Sequence, residues 1–116
     1  MHSITTPTFS TLKLSQRVPG VVQITMARAA VFNAFDELMI SELDAAFAAM
    51  SDDTSVRVIV LAGDGKHFSA GADLQWMQRA AAATVEWNLH DARRFAGMLH
   101  RIANAPKPVL ARIQGA

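Results

Sequence analysis

The sequence has 116 residues, of which 51% are hydrophobic and 18% charged, with no cysteine and a formal net charge of +1. This composition is typical of one globular domain, and it excludes disulfides, thiolate zinc sites and cysteine nucleophiles. The near-zero charge gives no general attraction for nucleic acid or anionic lipid. Because the segment from Met1 to Ser10 contains no secretory signal and no apolar run approaches the roughly 20 residues that cross a bilayer, we expect a soluble, cytoplasmic protein.

The first half of the chain predicts a β-hairpin followed by a helix. Apolar and polar residues alternate from Thr11 to Ser15 and from Val21 to Met26, and Val18-Pro19-Gly20 between them is a turn sequence. From Ala34 to Met50 the apolar residues recur at steps of three and four, with acidic residues in the first turn. This spacing predicts an amphipathic helix whose dipole is complemented by those acidic residues.

The second half alternates strands and helices. The β-branched run from Val56 to Ala62 predicts a strand that is buried on both faces in a parallel sheet, and Val109 to Ile113 predicts a second one. Helices are predicted from about Asp73 and from Val85 to Ala103, and the order of elements is that of an α/β fold with a right-handed crossover. The predicted apolar side of the second helix consists of Leu89, Ala92, Ala96, Leu99 and Ile102 or Ala103.

The segment from His67 to Leu74 is the most informative candidate for a functional loop. It follows a predicted strand, is rich in small residues and leads into a helix. Small residues allow a ligand to approach the backbone, and the first N–H groups of a helix can bind a developing anion. The N–H of Ala72 is the obvious donor. The same residues also fit a tight turn with Asp73 as the helix N-cap, and local chemistry alone does not decide between the two.

The motif F-S-A-G-A-D-L at 68–74 resembles the segment that supplies one oxyanion-hole amide in the enoyl-CoA hydratase/isomerase (crotonase) family. Residues 24–36 resemble the family's CoA-contact segment, and 56–63 and 107–115 resemble its first two buried strands. The resemblance covers nearly the whole chain. It implies a crotonase-like α/β fold, a ββα spiral with a parallel central sheet. Residues 1–116 would form the N-terminal part of this single domain, incomplete at the C-terminus.

The resemblance also implies a mechanism, in which two backbone amides hold the thioester oxygen of an acyl-CoA and stabilise an enolate-like anion. Ala72 would be the first donor. The only cofactor implied is coenzyme A, as part of the thioester substrate, and no metal is implied. The activity implied is enoyl-CoA hydration in fatty-acid or branched-chain acyl-CoA breakdown, by a homotrimer or hexamer. The substrate-binding residues implied are Ala30, Val31, Phe32, Ala70, Gly71, Asp73, Leu74 and Gln75.

The sequence departs from the family pattern in two respects. The family's second oxyanion donor and its catalytic glutamates would fall beyond Ala116, so this segment alone is expected to be inactive. The family's L-N-R-P motif and the basic residue after it are replaced by M-A-R-A-A-V at 26–31. Arg28 or Lys66 could reach the phosphates of CoA, or each could be an ordinary solvated cation. A catalytically silent binding or assembly module is therefore the alternative to an enzyme.

Two finer hypotheses concern the same loop. The stretch A-D-L-Q-W-M at 72–77 resembles bacterial hydratases that act on methylglutaconyl-CoA, with Trp76 and Met77 either shaping an acyl pocket or simply packing a helix. Ser69 in H-F-S-A-G is similar to the serine of a G-x-S-x-G nucleophile elbow, although His67 replaces the first glycine and no triad partners are evident. The histidines fit no recognised metal-binding pair.

Overall fold

The computed structural model describes residues 8–115, so part of the predicted domain, and most of the N-terminal segment that was examined for a signal, lie outside the described residues. None of the helices in this range is long and apolar enough to cross a membrane. The predicted order of elements is confirmed. The elements are β1 (Leu12–Val18), β2 (Val21–Met26), a 3₁₀ helix (Ala29–Val31), α1 (Glu37–Asp52), β3 (Val58–Gly63), α2 (Leu74–Ala82), α3 (Val85–Ala103) and β4 (Val109–Arg112).

The four strands form one sheet in the order β1-β2-β3-β4. The hairpin pairs β1 with β2 antiparallel, whereas β2, β3 and β4 pair parallel. The sheet is therefore mixed, and the expected parallel sheet corresponds to its last three strands. Each parallel step is made through helices, α1 between β2 and β3 and then α2 and α3 between β3 and β4, because parallel neighbours need a long crossover.

The core lies between one face of the sheet and α1. Side chains of alternate sheet residues point to the same face, and α1 presents the apolar stripe predicted from its spacing. Phe47, at the centre of this stripe, is completely buried. The buried residues of this core include Leu12, Val22, Ile24, Met26 and Ile59 from the sheet and Met39, Ile40, Leu43, Ala46, Phe47 and Met50 from α1.

The prediction that β4 is buried on both faces is wrong for this chain. Leu110 is 60% exposed, and the rest of β4 is exposed or half-buried. In β3, by contrast, Ile59 and Ala62 are buried and the remaining residues are half-buried. A continuous apolar run predicts a strand, but the burial of its second face depends on a neighbouring layer that the run itself does not specify.

The predicted apolar side of α3 is also mostly wrong. Met98 is the buried residue of α3, with Phe95 and Ile102 partly buried against the same core. Leu89 and Leu99 are about half exposed. The helix carries two neighbouring apolar stripes, and the stripe with the larger side chains packs against α1, because it removes more apolar surface from water.

Lys107 ties the start of β4 to the end of α1. Its Nζ donates to the carbonyl oxygen of Met50, at 2.7 Å, and to that of Asp53. These carbonyls lie at the C-terminus of α1, where they lack intrahelical partners and where a cation is favoured by the helix dipole.

Replacing Lys107 with methionine is expected to lower the free energy of unfolding by about 1–2 kcal/mol, because two charge-assisted hydrogen bonds are lost. Lys13→Met is the matched control. Lys13 makes an ion pair with Asp64 on the surface, and such pairs contribute at most about 1 kcal/mol. Urea unfolding of the intact protein measures both. Equal effects of the two variants would contradict a capping role for Lys107.

Candidate active site

Two loops run side by side at the ends of β2 and β3 and form the candidate site. A short parallel bridge joins Phe35 to Ala72. The N–H of Phe35 donates to Gly71 O at 2.7 Å, and the N–H of Asp73 donates to Phe35 O at 2.8 Å. A further bond runs from Ala70 N–H to Phe32 O at 2.9 Å. The backbone of the 69–73 loop is therefore fixed by main-chain bonds to the 32–35 segment.

The backbone amides on both sides of Ala72 have acceptors. The N–H of Gly71 donates to Ser69 Oγ at 3.2 Å, and the N–H groups of Gln75 and Trp76 donate to Asp73 Oδ1, which caps α2. Within residues 8–115, the N–H of Ala72 has no hydrogen-bond acceptor, and Ala72 is exposed. A donor held rigidly on both sides and left unpaired can bind an anion that enters the cleft.

Ala72 lines a cleft of about 820 Å³. Its wall contains eight of the nine predicted site residues: Ala30, Val31, Phe32, Ala70, Ala72, Asp73, Leu74 and Gln75. The ninth, Gly71, lies between two of them with a φ of 91°, a conformation that favours glycine. Their roles toward a substrate remain predictions. Arg28, which the sequence offered as a possible phosphate contact, also lines the cleft, as do Ala34 and Gln78, to which sequence reasoning gave no role.

Asn33 links its own segment to the chain at residues 64–67, and sequence reasoning missed it. The side chain is completely buried. Its Oδ1 accepts from Arg28 N–H at 2.8 Å, and its Nδ2 donates to the carbonyls of Asp64 and His67 at 2.8 and 3.0 Å. Phe32 and Asn33 have φ values of 56° and 54°. The available signal was the residue type, because asparagine tolerates this left-handed region better than most residues.

Arg28 lies in the wall of the cleft with its guanidinium turned toward protein groups. Nη2 is 3.1 Å from Asp73 Oδ2 and 3.3 Å from Asp36 Oδ2, and Nη1 donates to Ala34 O. The side chain is 19% exposed. Of the two interpretations of Arg28, a solvated surface cation is therefore wrong, and the geometry gives no direct support to a contact with a CoA phosphate.

Asp73 is the only carboxylate in the wall of this cleft among the described residues. Burial disfavours its charged form, but hydrogen bonds from Trp76 N–H, Arg28 and Gln75 N–H outweigh that cost and lower the pKa of Asp73 below its ordinary value. The carboxylate is thus ionised at neutral pH and its oxygens are occupied. It is a helix cap, and it lacks the free proton that a general acid needs.

The two residues proposed to shape an acyl pocket have different positions. Met77 lines the cleft. Trp76 instead joins α2 to α3, because its Nε1 donates to Asp91 Oδ2 at 2.7 Å and its ring packs edge-to-face on Phe95. For Trp76, helix packing is therefore the interpretation that the contacts support.

The geometry does not support a nucleophilic Ser69. Its hydroxyl donates to Asn33 O at 2.9 Å and accepts from the N–H of Gly71. A serine nucleophile gives its proton to a general base, whereas this proton is donated to a backbone carbonyl. Within residues 8–115, no three histidine or acidic side chains lie close enough together to hold a metal ion.

The fold agrees with the comparison to known protein families. The family model described as enoyl-CoA hydratase/isomerase matches residues 16–116. The chain belongs to the enoyl-CoA hydratase/isomerase family. The fold is confirmed by an enoyl-CoA hydratase from Shewanella pealeana, with a TM-score of 0.89 and 36% identity over 92% of this chain and 40% of that one. Pseudomonas aeruginosa AtuE gives a TM-score of 0.86 and 39% identity over 92% and 41%.

Curated relatives include several reaction types. A protein named "Probable enoyl-CoA hydratase" from Rhizobium meliloti is 41% identical over 92 residues, covering 79% of this chain and 34% of that protein. The 4-chlorobenzoyl coenzyme A dehalogenase-1 of an Arthrobacter species is 34% identical over 102 residues, covering 86% and 37%. The chain thus spans about a third of the length of these relatives. The particular similarity to methylglutaconyl-CoA hydratases is not confirmed and stays a prediction.

Proposed function

We propose that this chain provides the acyl-CoA thioester cleft and the first oxyanion donor of an enoyl-CoA hydratase. The observation that carries the proposal is the unpaired N–H of Ala72, a residue held between two hydrogen-bonded neighbours in the wall of a cleft of about 820 Å³. The family assignment supports the substrate class, since the relatives named above act on CoA thioesters according to their names.

In the proposed mechanism, the thioester carbonyl oxygen accepts a hydrogen bond from Ala72. The small side chain of Ala70 leaves room for the thioester, and the exposed Val31 and Phe32 offer an apolar surface to the pantetheine arm. Attack on the enoyl group moves negative charge onto the carbonyl oxygen. A preorganised donor stabilises that charge by roughly 3 kcal/mol without reorganising.

The proposal assigns proton transfer to groups other than Asp73, because that carboxylate is already bound by Arg28 and two backbone amides. General acid and base groups must come within hydrogen-bond reach of the reacting atoms. Hydration is proposed over isomerisation or dehalogenation from the names of the relatives alone, so the test must separate these reactions. A homotrimer or hexamer in the cytoplasm is part of the same proposal.

The test is a panel of thioesters given to the intact protein. Crotonyl-CoA reports hydration by the loss of its conjugated ultraviolet absorbance, a 3-enoyl-CoA reports isomerisation by the gain of that absorbance, and 4-chlorobenzoyl-CoA reports dehalogenation by release of chloride. A 3-methylglutaconyl thioester tests the branched-chain hypothesis.

We expect turnover of crotonyl-CoA and a shift of its isotope-labelled carbonyl stretch to lower frequency on binding, because a hydrogen bond to the oxygen weakens the C=O bond. Free crotonate, which lacks CoA, is the control. If crotonyl-CoA neither binds nor shows this carbonyl shift, the proposed function is wrong. Turnover of a different thioester would support the acyl-CoA cleft and would assign a reaction other than hydration to it.

A further inference from the structure

We propose that Arg28 is a positioning residue for the oxyanion donor. It neutralises and orients Asp73, so that the adjacent Ala72 N–H can donate to an oxygen that develops negative charge. This inference rests on the proposed function, because it concerns the same amide. The sequence left two interpretations of Arg28 open, a contact with the CoA phosphates and a solvated cation. Its observed partners assign it a different task.

The contacts of Arg28 hold Asp73 in position. Arg28 follows β2 and contacts three points at once: the carbonyl of Ala34, the N-cap of α1 at Asp36, and the N-cap of α2 at Asp73. Asp73 in turn holds the first turn of α2 through Oδ1 and receives Arg28 on Oδ2. Arg28 therefore fixes the residue that directly follows the donor amide, and a planar guanidinium suits such simultaneous contacts.

Arg28 also offsets the negative charge of Asp73 beside the Ala72 amide. Asp73 is an anion one residue from Ala72, and its side chain is only 10% exposed, so water screens it poorly. An unneutralised carboxylate there would repel the enolate oxygen that the Ala72 amide is meant to stabilise. Placing Arg28 against that carboxylate removes the repulsion. The N-cap function of Asp73 can thus coexist with an anion-binding site beside it.

A neighbouring ion pair does not make the contacts that Arg28 makes with Asp73. Arg79 on α2 pairs with Glu37 at the start of α1, with Nε 2.7 Å from Oε2. The charges of Glu37 and Arg79 neutralise each other. Arg28 is the cation within hydrogen-bond distance of Asp73 in the described part of the chain, although it also faces Asp36. Removing Arg28 would take from Asp36 and Asp73 the cation that pairs with both carboxylates.

The test is charge rescue in the intact protein. Arg28→Met is expected to reduce crotonyl-CoA turnover at least 10-fold and to diminish the carbonyl frequency shift of bound thioester. The affinity for CoA alone should change less than about threefold. Asp73→Asn keeps a side-chain oxygen for the helix cap and is expected to have a smaller effect, since asparagine is also a good N-cap.

The decisive variant is the double replacement Arg28→Met with Asp73→Asn. If Arg28 acts by neutralising Asp73, the double variant should regain turnover and carbonyl shift relative to Arg28→Met. A residue with only a structural role would not be rescued by removing a second hydrogen-bonding group. Arg28→Lys keeps the positive charge but lacks the planar guanidinium, and it should retain more of the carbonyl shift than Arg28→Met. Arg101→Met, which breaks the exposed ion pair between Arg101 on α3 and Asp44 on α1, is the matched control.

Three results would overturn the inference. The first is a double variant no better than Arg28→Met. The second is an equal loss of affinity for CoA and for the thioester in Arg28→Met, which would make Arg28 a phosphate contact. The third is Arg28→Lys behaving like Arg28→Met while both remain folded by circular dichroism. Absence of a carbonyl shift in the unchanged protein would instead refute the proposed function, and the two failures are therefore distinguishable.

Discussion

Replacing Ala72 with proline should reduce enoyl-CoA turnover by about 10²–10³-fold, the loss expected when one oxyanion donor is removed. Proline has no backbone N–H. In this position the missing N–H breaks no bond within the described residues, since the Ala72 amide has no acceptor there. The loss should therefore come from the thioester interaction rather than from unfolding.

The matched control is Ala72→Gly, which keeps the N–H and changes only the methyl group. We expect its turnover to stay within a few-fold of the unchanged protein, and the carbonyl frequency shift to persist. Circular dichroism and urea unfolding establish that both variants are folded. Full activity of a folded Ala72→Pro variant would show that the assignment of Ala72 as an oxyanion donor is wrong.

The largest effect on stability is expected at Asn33. Replacing it with alanine should lower the free energy of unfolding by about 2–4 kcal/mol, because three hydrogen bonds in a buried position are lost together. The carbonyls of Asp64 and His67 and the N–H of Arg28 would lose this partner. Alanine also tolerates a positive φ less well than asparagine.

Asn104→Ala is the matched control for this variant. Its side chain is exposed at the end of α3 and bonds mainly to His100, so we expect a change below about 1 kcal/mol, as for most surface substitutions. Urea unfolding measures both. If Asn33→Ala were no more destabilising than Asn104→Ala, the hydrogen bonds of the Asn33 side chain would not contribute to stability, and the two loops would be held together by their backbone bonds alone.

Much of the fold could be predicted because its signals are local. The turn at Pro19 and Gly20, the three- and four-residue spacing of α1, and the proline-bounded end of α3 each involve residues that are neighbours in sequence. The small residues of the 69–72 loop predicted a ligand-facing backbone, and that role stays a prediction. The structure places all but one of the predicted site residues in the wall of one cleft.

What could not be predicted depends on residues far apart in the chain. Asn33 bonds to residues 31 and 34 positions away, and Arg28 to a residue 45 positions away. No periodicity links such pairs. Similarly, the choice between the two stripes of α3, and the exposure of Leu110, depend on which layers meet in space. Sequence pattern shows that a surface is apolar without showing what covers it.

The way in which the 69–73 loop is fixed also affects how substrate preference could change. Its position depends on main-chain bonds to Phe32 and Phe35, and the side chains of Val31, Leu74 and Met77, which line the cleft, take no part in these bonds. Val31, Leu74 and Met77 can therefore be exchanged for larger or smaller residues while the amide stays in place. The architecture separates the atoms that would stabilise charge from those that would select an acyl chain, and libraries confined to these three positions could alter selectivity while the donor is retained.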